Sequence, residues 1–169
     1  PLLAEQAKER QVALGLDKLQ PWDTEVDTSG KPALKPFNNG EELIEKSIRC
    51  FHKLDPFLGS RLEVMKKNEL FDVESRKGKA PGGYNYPLAE TGAPFIFMNS
   101  ANSFRDLTTM VHEGGHAIHT FLTADLKLND FKHCPSEVAE LASMAMELIS
   151  MDHWDEFFTD KEELKRARS

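Results

Sequence analysis

Apolar positions along this chain recur mostly every three or four residues, the spacing of one helix face, and alternate over only a few short stretches. Residues 1–15 read as a polar helix. Residues 20–40 carry Pro21, Pro32 and Pro36 among turn-forming residues and read as a loop or extended linker. Gly40 precedes a helix from about Glu41 to Leu54; Asp55-Pro56 breaks it, and another helix runs to about Asn68. Glu69–Ser75 alternates apolar and polar residues as a strand does, and Gly82–Tyr86 and Phe95–Asn99 are further short strands around the turn-rich residues 90–94. Ser103-Phe104-Arg105-Asp106 is a capping box that starts a helix. In that helix Phe104, Leu107, Val111, Ile118 and Leu122 form a stripe expected to be buried, and Thr109, His112, His116 and His119 lie on another. After an irregular stretch over 126–135, Ser136 is expected to cap a second long helix. Its apolar stripe is Val138, Leu141, Ala142, Ala145, Leu148 and Ile149; Glu140, Met144, Glu147 and Met151 share a different one. The expectation is a mainly α fold with a small β-sheet, forming one domain over residues 1–169.

The chemistry concentrates in His112-Glu113-Gly114-Gly115-His116-Ala117-Ile118-His119. His-Glu-x-x-His on a helix sets His112 and His116 one turn apart on one face, where two imidazoles can bind one zinc ion. Glu113 then stands beside the metal, placed to take a proton from water. A catalytic zinc takes a third protein ligand. Six residues after His116 stands Leu122, which excludes a third histidine of the metzincin kind. A glutamate from the following helix is the other common solution, and both Glu137 and Glu140 qualify. Glu147 shares a stripe with Glu140 and suits either a partner for a ligand imidazole or a structural ion pair. His119 suits either the site lining or an ordinary helix histidine. Gly114 and Gly115, each costing about 1 kcal/mol in a helix relative to alanine, imply close approach by another backbone or by substrate, or tight helix packing.

With these residues placed, the chain resembles the oligoendopeptidase F / thimet oligopeptidase family of zinc metallopeptidases. The family's His-Glu-x-Gly-His-x-x-His matches His112, Glu113, Gly115, His116 and His119. Its second helix, Ala-Glu-x-Ala-Ser with a further Glu seven residues after the first, matches Ala139-Glu140-Leu141-Ala142-Ser143 and Glu147. Upstream, Gly78-Lys79-Ala80-Pro81-Gly82-Gly83-Tyr84 and Phe95–Asn99 match a Gly-Lys-x-x-Gly-x-Tyr segment and an apolar strand ending in Met-Asn. Gly114 departs from the family, whose members carry a larger apolar residue there. The resemblance is strong over residues 69–154 and looser before them. It implies a zincin-like catalytic core, one zinc per chain held by His112, His116 and Glu140, and Glu113 as general base. It implies Glu147 behind a ligand imidazole and His119 beside the site. Short peptides are the implied substrates, laid along the Gly82, Gly83 and Tyr84 strand; a hairpin arm without that job is the alternative. Family members are several times longer and bring a His and Tyr residues to the substrate from beyond the second helix. No Tyr follows Tyr86 here, so the chain is expected to be a piece of a catalytic domain. A zinc-holding, peptide-binding module without turnover is the second reading. Remaining segments of a parent enzyme, or self-association, are the further expected partners.

Composition narrows the field a little. A net charge of −7 argues against nucleic acid as main partner. No apolar run is long enough to span a membrane, and no signal-peptide pattern is present. Cys50 and Cys134 form neither a disulfide framework nor a structural zinc motif and suit a reducing cytoplasm.

Overall fold

The computed structural model describes residues 2–24, 26–28 and 30–168. The chain divides into two compact units, Pro1–Leu34 and Lys35–Ser169, where the sequence reads as one domain. In the first unit, helix α1 (Leu2–Ala13) precedes a 3-10 turn at Pro21–Asp23. Arg10 donates to the carbonyls of Asp23 and Val26, joining the helix to the turn. Everything expected to carry chemistry lies in the second unit.

There, helices α2 (Gly40–Leu54) and α3 (Pro56–Lys67) lead into a three-stranded sheet of β1 (Phe71–Glu74), β2 (Gly83–Leu88) and β3 (Ala93–Ser100). Helices α4 (Phe104–Thr123), α5 (Ser136–Ser150) and α6 (Lys161–Ala167) follow. Asn39 caps α2 by accepting from the Glu42 amide, so Gly40 falls inside the helix rather than before it. Asp55 both ends α2 and caps α3, accepting from the Phe57 amide, and Pro56 takes the first helical position, where its missing N–H costs nothing. Leu43, Ile44 and Phe51 of α2, Leu62 and Met65 of α3, Ile96 and Met98 of β3, and Leu107, Met110 and Val111 of α4 form the core, closed by Trp154, Phe157 and Phe158. No helix among the described residues is long and apolar enough to cross a membrane.

In the sheet, β3 is central: β1 pairs with it in parallel and β2 antiparallel, so β2 is an edge strand. The Asn99 amide donates to the Gly82 carbonyl, and the register Tyr84↔Phe97 and Asn85↔Ile96 continues that ladder. Antiparallel pairs alternate between bonded and non-bonded. Gly83, Asn85 and Pro87 therefore occupy the non-bonded positions, and their main-chain groups point to the free edge. Pro87, which has no N–H, sits where none is needed.

Lys79 explains the Gly-Lys segment before β2. Its side chain is 1% exposed, and its ammonium donates to the Asp72 and Glu74 carbonyls and to the Asp72 carboxylate, at 2.7–2.9 Å. Arg76 and Lys79 together hold the Asp72 carboxyl well below the usual range. Lys79 also lies over the Phe97 ring, 4.6 Å from its centroid. Arg76 still pairs Asp72 without it, so Lys79→Met loses the charge-assisted hydrogen bonds of a buried ammonium and is expected to cost about 2 kcal/mol. Urea unfolding measures this; a midpoint equal to the parent's would show that the pin contributes nothing.

Two expectations are corrected. Leu122 is 64% exposed instead of buried with Leu107, Val111 and Ile118. Ser136 is the first residue of α5 and not its cap; Pro135 precedes it without a side-chain bond. A third difference is larger. The apolar stripe of α5 faces outward: Val138, Leu141, Leu148 and Ile149 are each at least half exposed, while Ser143, Met146 and Ser150 are buried. The cause is close helix packing. A Cβ on Gly115 of α4 would stand 3.0 Å from Ser143 Cα and 3.0 Å from Met146 Cβ, so only small or slender residues fit between the two helices. The buried hydroxyls are satisfied within α5, Ser143 donating to the Glu140 carbonyl and Ser150 to that of Glu147.

Candidate metal centre

The α4 capping box forms as expected. The Ser103 hydroxyl accepts from the Asp106 amide, and the Asp106 carboxylate accepts from the Ser103 amide at 2.8 Å. With its start fixed, α4 buries Leu107, Met110, Val111, Gly114, Ala117 and Ile118, and leaves His112 and His116 half-buried beside that stripe. Their rings stand edge-on, 4.9 Å between centroids.

Helix α5 crosses this turn and brings Glu140 to it. Glu140 Oε2 lies 3.2 Å from His112 Nε2, and Oε1 lies 3.6 Å from His116 Nε2. One ligand atom from each of His112, His116 and Glu140 falls within 4.8 Å of the others. Ligands about 2.1 Å from a tetrahedral zinc stand about 3.4 Å from one another. The three residues therefore fit a zinc ion in atom type and in spacing. Glu137, the competing carboxylate, is not part of the group.

Glu147 reaches the other side of His112, with Oε1 2.6 Å from Nδ1. Glu147 carries no proton to give as a carboxylate, so Nδ1 holds the hydrogen and donates it. That leaves the Nε2 lone pair free on the Glu140 side. Burial and the neighbouring His112 pull His116 below the ordinary imidazole range, which keeps it neutral, the form that ligates.

Glu113 is 7% exposed. Burial pushes its carboxyl above the usual range; the neighbouring His112 and the main chain of Asn85 oppose that. A raised carboxylate is a stronger base near neutral pH than an ordinary one.

The remaining expected site residues are placed apart. The His119 ring meets the Cys134 thiol, Nδ1 to Sγ 3.7 Å, and does not join the metal group. Gly83 packs against α4: a Cβ there would lie 2.7 Å from Thr109 Cγ2. Side chains alternate across a strand, so Tyr84 faces the other side of the sheet, where it stacks on Phe97 at 4.9 Å between centroids. Gly82 lies before β2 and lines a small cleft with Pro81, Met98, Asn99 and Thr109. Asn85, which no motif singles out, faces α4 as Gly83 does.

Known proteins are similar to this chain in sequence and in fold. The chain is 29% identical over 149 residues to the group B oligopeptidase PepB of Streptococcus agalactiae, covering 88% of this chain and 24% of that protein. Oligopeptidase PepF of Bacillus subtilis is 29% identical, over 88% of this chain and 22% of its own length. The chain thus spans about a quarter of the curated relatives it matches. The structure of PZ peptidase A with inhibitor 2 superposes with a TM-score of 0.86 at 28% identity, over 97% of this chain and 29% of that one. A structure from Bacillus anthracis, assigned as an oligoendopeptidase F, gives a TM-score of 0.87 at 26% identity, over 98% of this chain and 30% of that one. The family model described as peptidase family M3 matches residues 1–169, and the chain belongs to that family.

Proposed function

We propose that this chain is the metal-binding core of a zinc-dependent endopeptidase that hydrolyses short peptides. The observation that carries the reading is the convergence of His112, His116 and Glu140 at zinc-ligand spacing beside a buried Glu113. Membership of a peptidase family and likeness to oligopeptidases support the substrate class. His112, His116 and Glu140 would hold the ion, and Glu147 would hold the His112 ring in its ligating tautomer. When bound, zinc supplies a Lewis acid that acidifies a water and polarises the scissile carbonyl. Glu113 takes the proton from that water and passes it to the leaving amine. The free edge of β2 offers main-chain groups on which an extended peptide can lie.

Metal analysis tests this without requiring turnover. The purified chain is expected to hold about one zinc, and His112→Ala and Glu140→Ala are each expected to lose it. A parent chain that takes up no zinc after metal is added back would overturn the reading. Zinc uptake with peptide binding but no cleavage would favour the binding-module alternative.

A further inference from the structure

Helix α4 carries an uncommitted cation at the cleft beside the start of β2. Among the described residues, Arg105 is the one arginine with no hydrogen bond, ion pair or ring contact. Arg10, Arg49, Arg61, Arg76 and Arg168 all donate to oxygens, and Arg166 has a partner as well. Acceptors are not scarce in a chain of net charge −7. Asp106 stands next to Arg105, yet its carboxylate is engaged at the helix cap, where it accepts from the Ala101 and Ser103 amides and the Ser103 hydroxyl. The guanidinium is therefore left to a ligand.

Arg105 and Thr109, one helix turn apart on the same face of α4, line a cleft of about 320 Å³ with Gly82, Met98 and Asp106. That volume is small for a ligand pocket and ample for one side chain. A Cβ at Gly82 would meet nothing within 4 Å, so the cleft is open on the β2 side. It also lies beside the metal group. Thr109 precedes His112 by three helical residues, about 4.5 Å along α4, and Gly83 packs on Thr109. One extended residue advances about 3.3 Å, so a peptide on the free edge of β2 passes the opening one or two residues from the metal.

We infer that this cleft is a subsite for a carboxylate of the bound peptide, held by the Arg105 guanidinium with the Thr109 hydroxyl beside it. The inference rests on the peptidase reading above, because a peptide substrate is what narrows the anion. The anionic groups of an unmodified peptide are Asp and Glu side chains and the C-terminal carboxylate. A guanidinium presents paired N–H donors that match the two oxygens of either source.

Peptide binding read by fluorescence anisotropy tests this without turnover, in zinc-loaded chains that carry Glu113→Gln so that the probe is not consumed. The probes are labelled hexapeptides of neutral residues, each with a single Glu or Gln and a free or an amidated C-terminus. At least one acidic probe is expected to bind about fivefold tighter, or more, than the neutral amidated one. A gain that follows Glu identifies a side chain as the ligand; a gain that follows the free end identifies the terminal carboxylate. Arg105→Gln is expected to bring the gain below about twofold while the neutral probe binds as before. Arg105→Lys, which keeps the charge, should retain about threefold. On the 15N-labelled chain the favoured probe should shift the Gly82 and Thr109 amide resonances more than the neutral probe does. Equal binding of acidic and neutral probes, a gain that survives Arg105→Gln, or equal shifts at Gly82 and Thr109 would each overturn the subsite. Peptide cleavage by the parent chain without any acid preference would overturn the subsite alone. An Arg105-dependent preference in a parent that cleaves nothing would sink the peptidase reading and leave the subsite standing. Binding of no probe at all would overturn both.

Discussion

Glu113→Gln is expected to retain one zinc per chain and to lose peptide cleavage by at least about 10³-fold, within the range a general base contributes. The substitution is nearly isosteric. Gln keeps the volume and shape of the side chain, so the surrounding packing survives. It also removes the need to bury a charge, the factor that pushes the Glu113 carboxyl upward. Thermal stability should therefore hold or rise while turnover collapses. That divergence separates a catalytic defect from a folding one. Turnover within tenfold of the parent, at equal zinc content, would show that another group moves the proton.

The His112, His116 and Glu140 group proposed to hold the metal was legible because its residues lie one helix turn apart in one segment and on one stripe of the next. His112 and His116 are fixed by α4 alone, and the capping box at Ser103 fixes α4. Choosing Glu140 over Glu137 drew on the stripe that Glu140 shares with Glu147 and on the resemblance, since both carboxylates lie near the α5 start. The edge of β2 was invisible for a different reason: it is made of main-chain groups, and every residue but proline offers an N–H. Only the strand register shows which amides face the edge. Tyr84 stacks on Phe97 on the face of the sheet opposite that of Gly83 against α4, a placement the motif alone did not give.

Helix α5 misleads in the most instructive way. A wide apolar stripe ordinarily faces the core, because burying it supplies about 25 cal/mol per Å². Here the stripe of Leu141 and Leu148 is exposed, and the face of Ser143, Met146 and Ser150 is buried. Periodicity gives the period of a helix and the presence of two faces. It does not say which face meets which neighbour. Gly115 on α4 carried that information: it demands a neighbour at backbone distance, and the face of α5 with Ala142 and Ser143 can come so close.

Gly115→Leu should therefore cost the metal site, although residue 115 touches no ligand atom. The obstructing atom on the α5 side is Ser143 Cα, main chain that cannot rotate away, with Met146 Cβ at the same 3.0 Å. A leucine adds three further carbons beyond that Cβ. Overpacking of this kind costs about 1–3 kcal/mol and is relieved by moving α5 outward. Glu140 and Glu147 both ride on α5, and both meet His112. Because metal sites require ligand distances within about 0.2 Å, a helix displacement of even 1 Å removes the third ligand and the tautomer lock together. Zinc affinity is expected to fall at least thirtyfold in a chelator competition assay. Gly114→Ala is the matched control. Its Cβ would press on the far edge of the Phe51 ring, at 2.8 Å, on the core side of α4. A ring edge can shift, so that variant should alter stability while its zinc affinity stays within about threefold of the parent. Parent-like zinc affinity in Gly115→Leu would mean that the spacing of α4 and α5 does not set the position of Glu140.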